Sequence, residues 1–139
     1  MIVLDTNVLS EAMRLEPADS VKRWLGAQPA TDIFTTALCE AEMRYGIALM
    51  PAGRRRTALE QSVVGIFAKQ FAGRVLAFDN AAAAAFAEIA AARQRSGRPI
   101  EPVDAQIAAI ARVHNAAVAT RNADDFANCG IEVINPWET

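Results

Sequence analysis

Four places in the chain carry oxygen-bearing side chains positioned to act on a ligand. Asp5-Thr6-Asn7 directly follows the apolar run Ile2-Val3-Leu4. Ligands of open parallel sheets bind beyond the carboxyl ends of strands, so an acid at that point is well placed. It is equally placed to cap a helix, and one carboxylate can do both. Glu42 falls with Leu38, Tyr45 and Leu49 at i, i+4, i+7 and i+11, a stripe that would turn its carboxylate towards the core. A carboxylate buried there needs an arginine, backbone donors or a metal. Asp104 follows Pro102 at a helix start and shares a face with Ile107, Ala108 and Ala111. A first-turn acid that complements the helix dipole is the simpler account of it. Arg121-Asn122-Ala123-Asp124-Asp125-Phe126 places further oxygens after a strand ending in Thr120, where a capped short helix would also explain them.

Jointly, these acids imply a cation, because two unit charges about 4 Å apart repel by about 4 kcal/mol at an effective dielectric of roughly 20. The chain has a single histidine, His114, and two cysteines, Cys39 and Cys129, without CxxC spacing. Hard oxygen ligands then favour Mg²⁺ or Mn²⁺ over zinc. The chemistry such a site supports is water activation and charge stabilisation at a phosphodiester. Other polar residues have simpler expected roles. Glu40 pairs with Arg44 four residues on, Asp79-Asn80 caps a helix, His114 sits near a helix end at the surface, and Arg54-Arg55-Arg56 is a solvated helix start.

The elements that must position these groups follow from the apolar pattern. Ile2 to Leu4, Ile33 to Thr35, Val75 to Phe78, Ala116 to Thr120 and Ile131 to Ile134 are short β-branched or continuous runs, as strands buried on both faces read. Segments of helical period lie between them, the plainest being Ala81 to Arg95. Alternation of this kind predicts the α/β class, with a mostly parallel central sheet of about five short strands flanked by helices. Pro51-Ala52-Gly53 and Ser96-Gly97-Arg98-Pro99 interrupt helices without dividing the chain. Residues 1–139 therefore read as a single domain.

Composition excludes several classes. With 53% apolar and 22% charged residues the chain is not disordered. A net charge of −2 gives no basic field for nucleic acid, so any such partner must meet a local patch. No run approaches the roughly 18 apolar residues of a membrane span, and Asp5 interrupts the start before a signal-peptide core forms. No membrane partner is expected, and a cytoplasmic, reducing location fits the cysteines.

Ile2-Val3-Leu4-Asp5-Thr6-Asn7-Val8-Leu9-Ser10-Glu11 resembles the opening of PIN-domain ribonucleases, in particular VapC toxins of the FitB-like group. Ala41-Glu42-Met43-Arg44-Tyr45-Gly46, Asp104-Ala105-Gln106-Ile107-Ala108-Ala109, Ala119-Thr120-Arg121-Asn122 and Asn135-Pro136-Trp137 are similar to that family in the same order. The resemblance implies a PIN-like fold and a metal-dependent endoribonuclease. It further implies the toxin of a type II toxin–antitoxin pair, a homodimer neutralised by a VapB-like DNA-binding antitoxin. Asp5, Glu42 and Asp104 match the family's acidic site, with Asp5 and Asp104 as metal ligands for Mg²⁺ or Mn²⁺ and Thr6 and Asn7 orienting Asp5. Asn122 departs from the pattern, since many relatives carry an aspartate there, and Asp124 and Asp125 are the two candidates to restore its charge. Arg121 is then the candidate RNA contact, with an intramolecular pair to a site acid as the alternative. Val21, Trp24 and Leu25 form a stripe that is either core or a groove for an antitoxin segment.

Three rival readings remain: a DNA-cleaving relative, a receiver domain phosphorylated on Asp79, and a catalytically inactive PIN-like module that binds RNA or protein. The receiver reading lacks its late lysine, because the only lysines are Lys22 and Lys69.

Overall fold

A computed structural model describes residues 1–139. Five short parallel strands form one sheet in the order β3-β2-β1-β4-β5: β1 (Ile2–Leu4), β2 (Ile33–Thr36), β3 (Val75–Leu76), β4 (Ala117–Ala119) and β5 (Val133–Ile134). The first strand to be made lies at the centre, with Ile2 opposite Ile33 on one side and Ala117 on the other. All five expected strands are present, two of them shortened to two residues, β3 at its end and β5 at its start.

The crossovers are helical: α1 (Thr6–Ala12), α2 (Asp19–Gly26), α3 (Ala37–Ala48), α4 (Arg54–Gly65), α5 (Asn80–Arg95) and α6 (Pro102–Val113), with α4 running on into a π-helical turn over Ile66–Gln70. Local chemistry sets their ends. The Thr36 hydroxyl accepts from the Cys39 N–H at 3.2 Å and the Asp79 carboxylate from the Ala82 N–H at 2.9 Å, each capping its helix. Pro102 opens α6, where its missing N–H costs nothing. Gly97 closes α5 in the left-handed region at φ 76°.

Packing centres on β1, β4 and α6. Ile107, Ala108, Ala109, Ile110 and Ala111 are all fully buried against a core that includes Val3, Val8 and Val118. Alanines on α6 let it lie close to its neighbours, which fixes the height of Asp104 above the sheet. Val21 is buried, and Trp24 and Leu25 pack against the same core. Leu25 also lines an apolar groove of about 680 Å³, together with Leu9, Met13, Leu59, Ile66 and Phe71. The stripe on α2 thus serves as both core and groove wall. No helix is long and apolar enough to cross a membrane.

One expectation fails. α3 buries Cys39, Met43 and Ile47, while Tyr45 and Leu49 are 66% and 68% exposed and Glu42 stands with them on the open side. The helix offers two apolar stripes one residue out of phase, and periodicity alone does not choose between them. Strand β2 and the Thr36 cap set the entry angle and turn Cys39 inwards. Glu42 is therefore an acid at the rim of the site, and it needs no buried partner.

Candidate active site

Strand ends and helix starts converge at the carboxyl edge of β1 and β4. Asp5 leaves β1 with its carboxylate 6% exposed and fully engaged. Oδ1 accepts from the Thr6 N–H at 2.8 Å, and Oδ2 accepts from the Thr120 hydroxyl at 2.8 Å and the Asn7 amide at 3.3 Å. Asp5 is thus an N-cap and a site residue together, as one carboxylate can be. Thr6 turns the other way, its hydroxyl donating to Glu42 Oε1 at 2.9 Å. The two expected supporting residues hold two different acids: Asn7 fixes Asp5 and Thr6 fixes Glu42.

Thr120, which the sequence marks only as a strand end, is a residue of the site. Fully buried, it donates to Asp5, accepts from the Asn7 amide at 3.2 Å and accepts from the Asn122 N–H at 3.1 Å. One hydroxyl thereby ties β1, α1 and the turn after β4 together. Thr120→Val keeps the shape and removes these bonds, taking the hydroxyl donor away from the buried Asp5 carboxylate. The expected result is a loss of about 1–3 kcal/mol in urea denaturation.

Burial pushes the Asp5 carboxyl above its ordinary value. The bonds from Thr120 and Thr6 pull it back, and the charge of Asp125 adds to the rise. Asp104, half-buried at the start of α6, is pushed up to about 6, first by burial and then by the charges of Asp5, Asp125, Glu42 and Glu101. Asp5, Glu42 and Asp104, remote in sequence, therefore share one electrostatic neighbourhood. The tightest group is slightly different from the expected one: Asp5, Glu42 and Cys39 each bring a ligand atom within 4.8 Å of the others, and Asp104 stands outside that cluster. Cys39 is a neutral thiol there, because burial raises it further above the carboxylates' range.

The turn after β4 divides its work between backbone and side chains. Asn122 is exposed and joins the site through its N–H, not through a side-chain cap. Of the two candidates to restore its charge, Asp125 is the one felt at both Asp5 and Asp104. Asp125 is held by a residue absent from the sequence analysis, Arg93. Its guanidinium is 5% exposed and donates to the carbonyls of Asp125 at 3.0 Å, Ala127 at 2.9 Å and Arg98 at 2.6 Å. Arg121 pairs with no site acid; its guanidinium lies 5.0 Å from the Trp137 ring centroid. Glu40–Arg44, Arg56–Glu60 and the exposed His114 behave as surface groups, in line with expectation.

A constellation of carboxylates at parallel strand ends is suited to a divalent cation with hard oxygen ligands. Comparison with known proteins agrees. The PIN domain family model matches residues 2–131. The chain is 44% identical to VapC ribonuclease Y4jK of Sinorhizobium fredii over 138 residues, covering 99% of each. It is 38% identical to Toxin FitB of Neisseria gonorrhoeae over 137 residues, again covering 99% of each. The solved structure of FitAB bound to an IR36 DNA fragment superposes with a TM-score of 0.93 at 39% identity, covering 99% of this chain and 96% of that one. Fold, sequence and superposition coincide over nearly the whole length, and the chain belongs to the PIN-domain family, among the relatives named VapC and FitB.

Proposed function

We propose that this protein is an Mg²⁺- or Mn²⁺-dependent endoribonuclease and the toxin of a type II toxin–antitoxin pair, acting in the cytoplasm as a homodimer. The observation that carries this reading is the convergence of Asp5 after β1, Glu42 on α3 and Asp104 on α6 in one neighbourhood, where burial first and then the charges of Asp5 and Glu42, among others, raise the Asp104 carboxyl. Asp5 and Asp104 are the metal ligands, with Glu42 beside them. A divalent cation held there supplies charge neutralisation at the scissile phosphate.

The remaining work belongs to the chain. Thr120 and Asn7 hold Asp5 in one orientation. The Thr6 hydroxyl occupies Glu42 Oε1 and leaves Oε2 to accept a proton from the attacking water. Asn122 contributes its backbone, and Asp125 provides the negative charge that Asn122 lacks. Arg121, steadied by Trp137, contacts an RNA phosphate. The restraining partner is a VapB-like DNA-binding antitoxin, a reading supported by the FitAB–DNA complex, and its apolar segment fits the 680 Å³ groove beside Leu25.

The test is an end-mapped digest of an RNA pool with Mn²⁺ or Mg²⁺ and with EDTA. Cuts at defined positions that vanish on chelation are expected. Asn122 gives one reason to weigh a module that binds without cutting. Metal binding with a thermal shift worth about 2.7 kcal/mol at a hundredfold excess over Kd, but with no cleavage of any RNA, would favour that module.

A further inference from the structure

A second, smaller groove of about 350 Å³ runs from the acid site between α1, α3 and α4, and Thr6 and Glu42 form its inner wall. Its floor is apolar, built from Met13, Met43, Ile47 and Val63. Arg14 stands at the rim with its side chain 68% exposed, touching Glu11 only at 3.4 Å. That is long for a charge-assisted bond, and most of the guanidinium's donors remain available.

Gly46 is the feature that needs explaining. It lies one turn after Glu42 inside α3, where glycine is the poorest helix former apart from proline. Its backbone does not require glycine, since the left-handed glycines are Gly73, Gly97 and Gly130. Packing does not require it either, because a Cβ at position 46 would meet nothing within 4 Å. A side chain there would project beside the groove that Gly46 lines, and the contents of that groove are what it would displace.

We propose that this groove is a subsite for one RNA nucleotide flanking the scissile phosphate, with Gly46 leaving it room, the thioethers of Met13 and Met43 against its base, and Arg14 pairing its phosphate. The assignment rests on the ribonuclease reading. An RNA nucleotide fits better than a protein segment for three reasons. The groove is lined by Glu42 of the acid site, its rim carries Arg14, exposed and only loosely tied to Glu11, and polarisable sulfur accepts the flat face of an unstacked base. The larger apolar groove contains none of the site acids.

The experiment is a volume series, Gly46→Ala, Gly46→Leu and Gly46→Phe, each more helix-favouring than glycine. With an RNA of mapped cleavage site, KM should rise in the order of side-chain volume, at least tenfold for Gly46→Leu. The Mn²⁺ Kd, measured by calorimetry, should stay within twofold of wild type, and the Tm should hold or rise. Arg14→Gln should raise KM and reduce the slope of log affinity against log salt by about 1. In parallel, binding of a non-cleavable 2′-O-methyl RNA is followed by fluorescence anisotropy, with at least tenfold weakening expected in Gly46→Phe. This readout does not depend on cleavage, so a wild type that cuts no RNA would sink the ribonuclease reading while the subsite is still judged by binding. Equal RNA affinity in wild type and Gly46→Phe overturns the subsite. So does a Gly46→Phe protein whose only defect is a weaker hold on its protein partner, which would give the groove to a peptide segment.

Discussion

Asp5→Asn is expected to lower metal-dependent RNA cleavage by roughly a thousandfold or more, equivalent to about 4 kcal/mol of transition-state stabilisation, while the protein stays folded. Asparagine caps a helix about as well as aspartate, so the bond to the Thr6 N–H survives. Thr120 already accepts from the Asn7 amide and the Asn122 N–H, so the loss of its bond to position 5 and the unfavourable meeting of the new amide with that of Asn7 are the main structural costs. Against those costs stands a gain, because burial already penalises the charge on Asp5 and an amide carries none. The net change in urea stability should lie within about 1 kcal/mol. Removing one carboxylate charge from the cluster, by contrast, takes away the better held of the two proposed metal ligands. Full cleavage by a purified, folded Asp5→Asn protein would show that Asp5 is only a cap.

Asp104→Asn is expected to do two opposite things: reduce cleavage by roughly a hundredfold or more and make the chelated, metal-free protein more stable at neutral pH. Asp104 has its folded-state carboxyl raised from 3.8 to about 6, so the folded chain binds that proton more tightly than the unfolded chain does. Its contribution to stability is complete below about pH 3.8 and is lost as pH rises through about 6. At pH 7 the ionised acid therefore weighs against folding, and asparagine removes that burden. A shift of this size corresponds to at most about 3 kcal/mol, which solvent screening of a half-buried group reduces to about 1–2 kcal/mol. Denaturation in EDTA at pH 7 should rank Asp104→Asn above wild type, the difference should close near pH 4, and saturating Mn²⁺ should raise wild type more than the variant. A variant less stable than wild type in EDTA at pH 7 would mean that Asp104 is not crowded by like charge.

What sequence alone reveals here depends on how local the cause is. The five strands are legible because each is a short β-branched or continuous run between helical stretches, and the caps at Asp5 and Asp79 are legible because capping is decided within four residues. Asp5 and Asp104 are legible as site candidates because topology makes their places into a strand end and a helix start, whereas Glu42, in the middle of α3, is marked only by an acid standing on an otherwise apolar stripe. Glu42's direction is not legible, since α3 carries two candidate stripes and only contact with the rest of the fold selects Cys39, Met43 and Ile47. Thr120 and Arg93 escape for a related reason. Their partners lie 115 and 32 residues away, and a threonine or arginine inside an apolar stretch gives no local sign of which distant oxygen it will meet. The choice of Asp125 over Asp124 likewise follows from the turn that Arg93 clamps, not from either side chain.

The central place of β1 has a consequence for synthesis. As the chain is made, β1 must wait for β4, at residues 117–119, before the edge facing it is paired, and Asp5 must wait for the Thr120 hydroxyl. A nascent chain short of that point has no assembled acid cluster, however much of its N-terminal half has folded. Fragments that end before Thr120 are therefore expected to cleave no RNA.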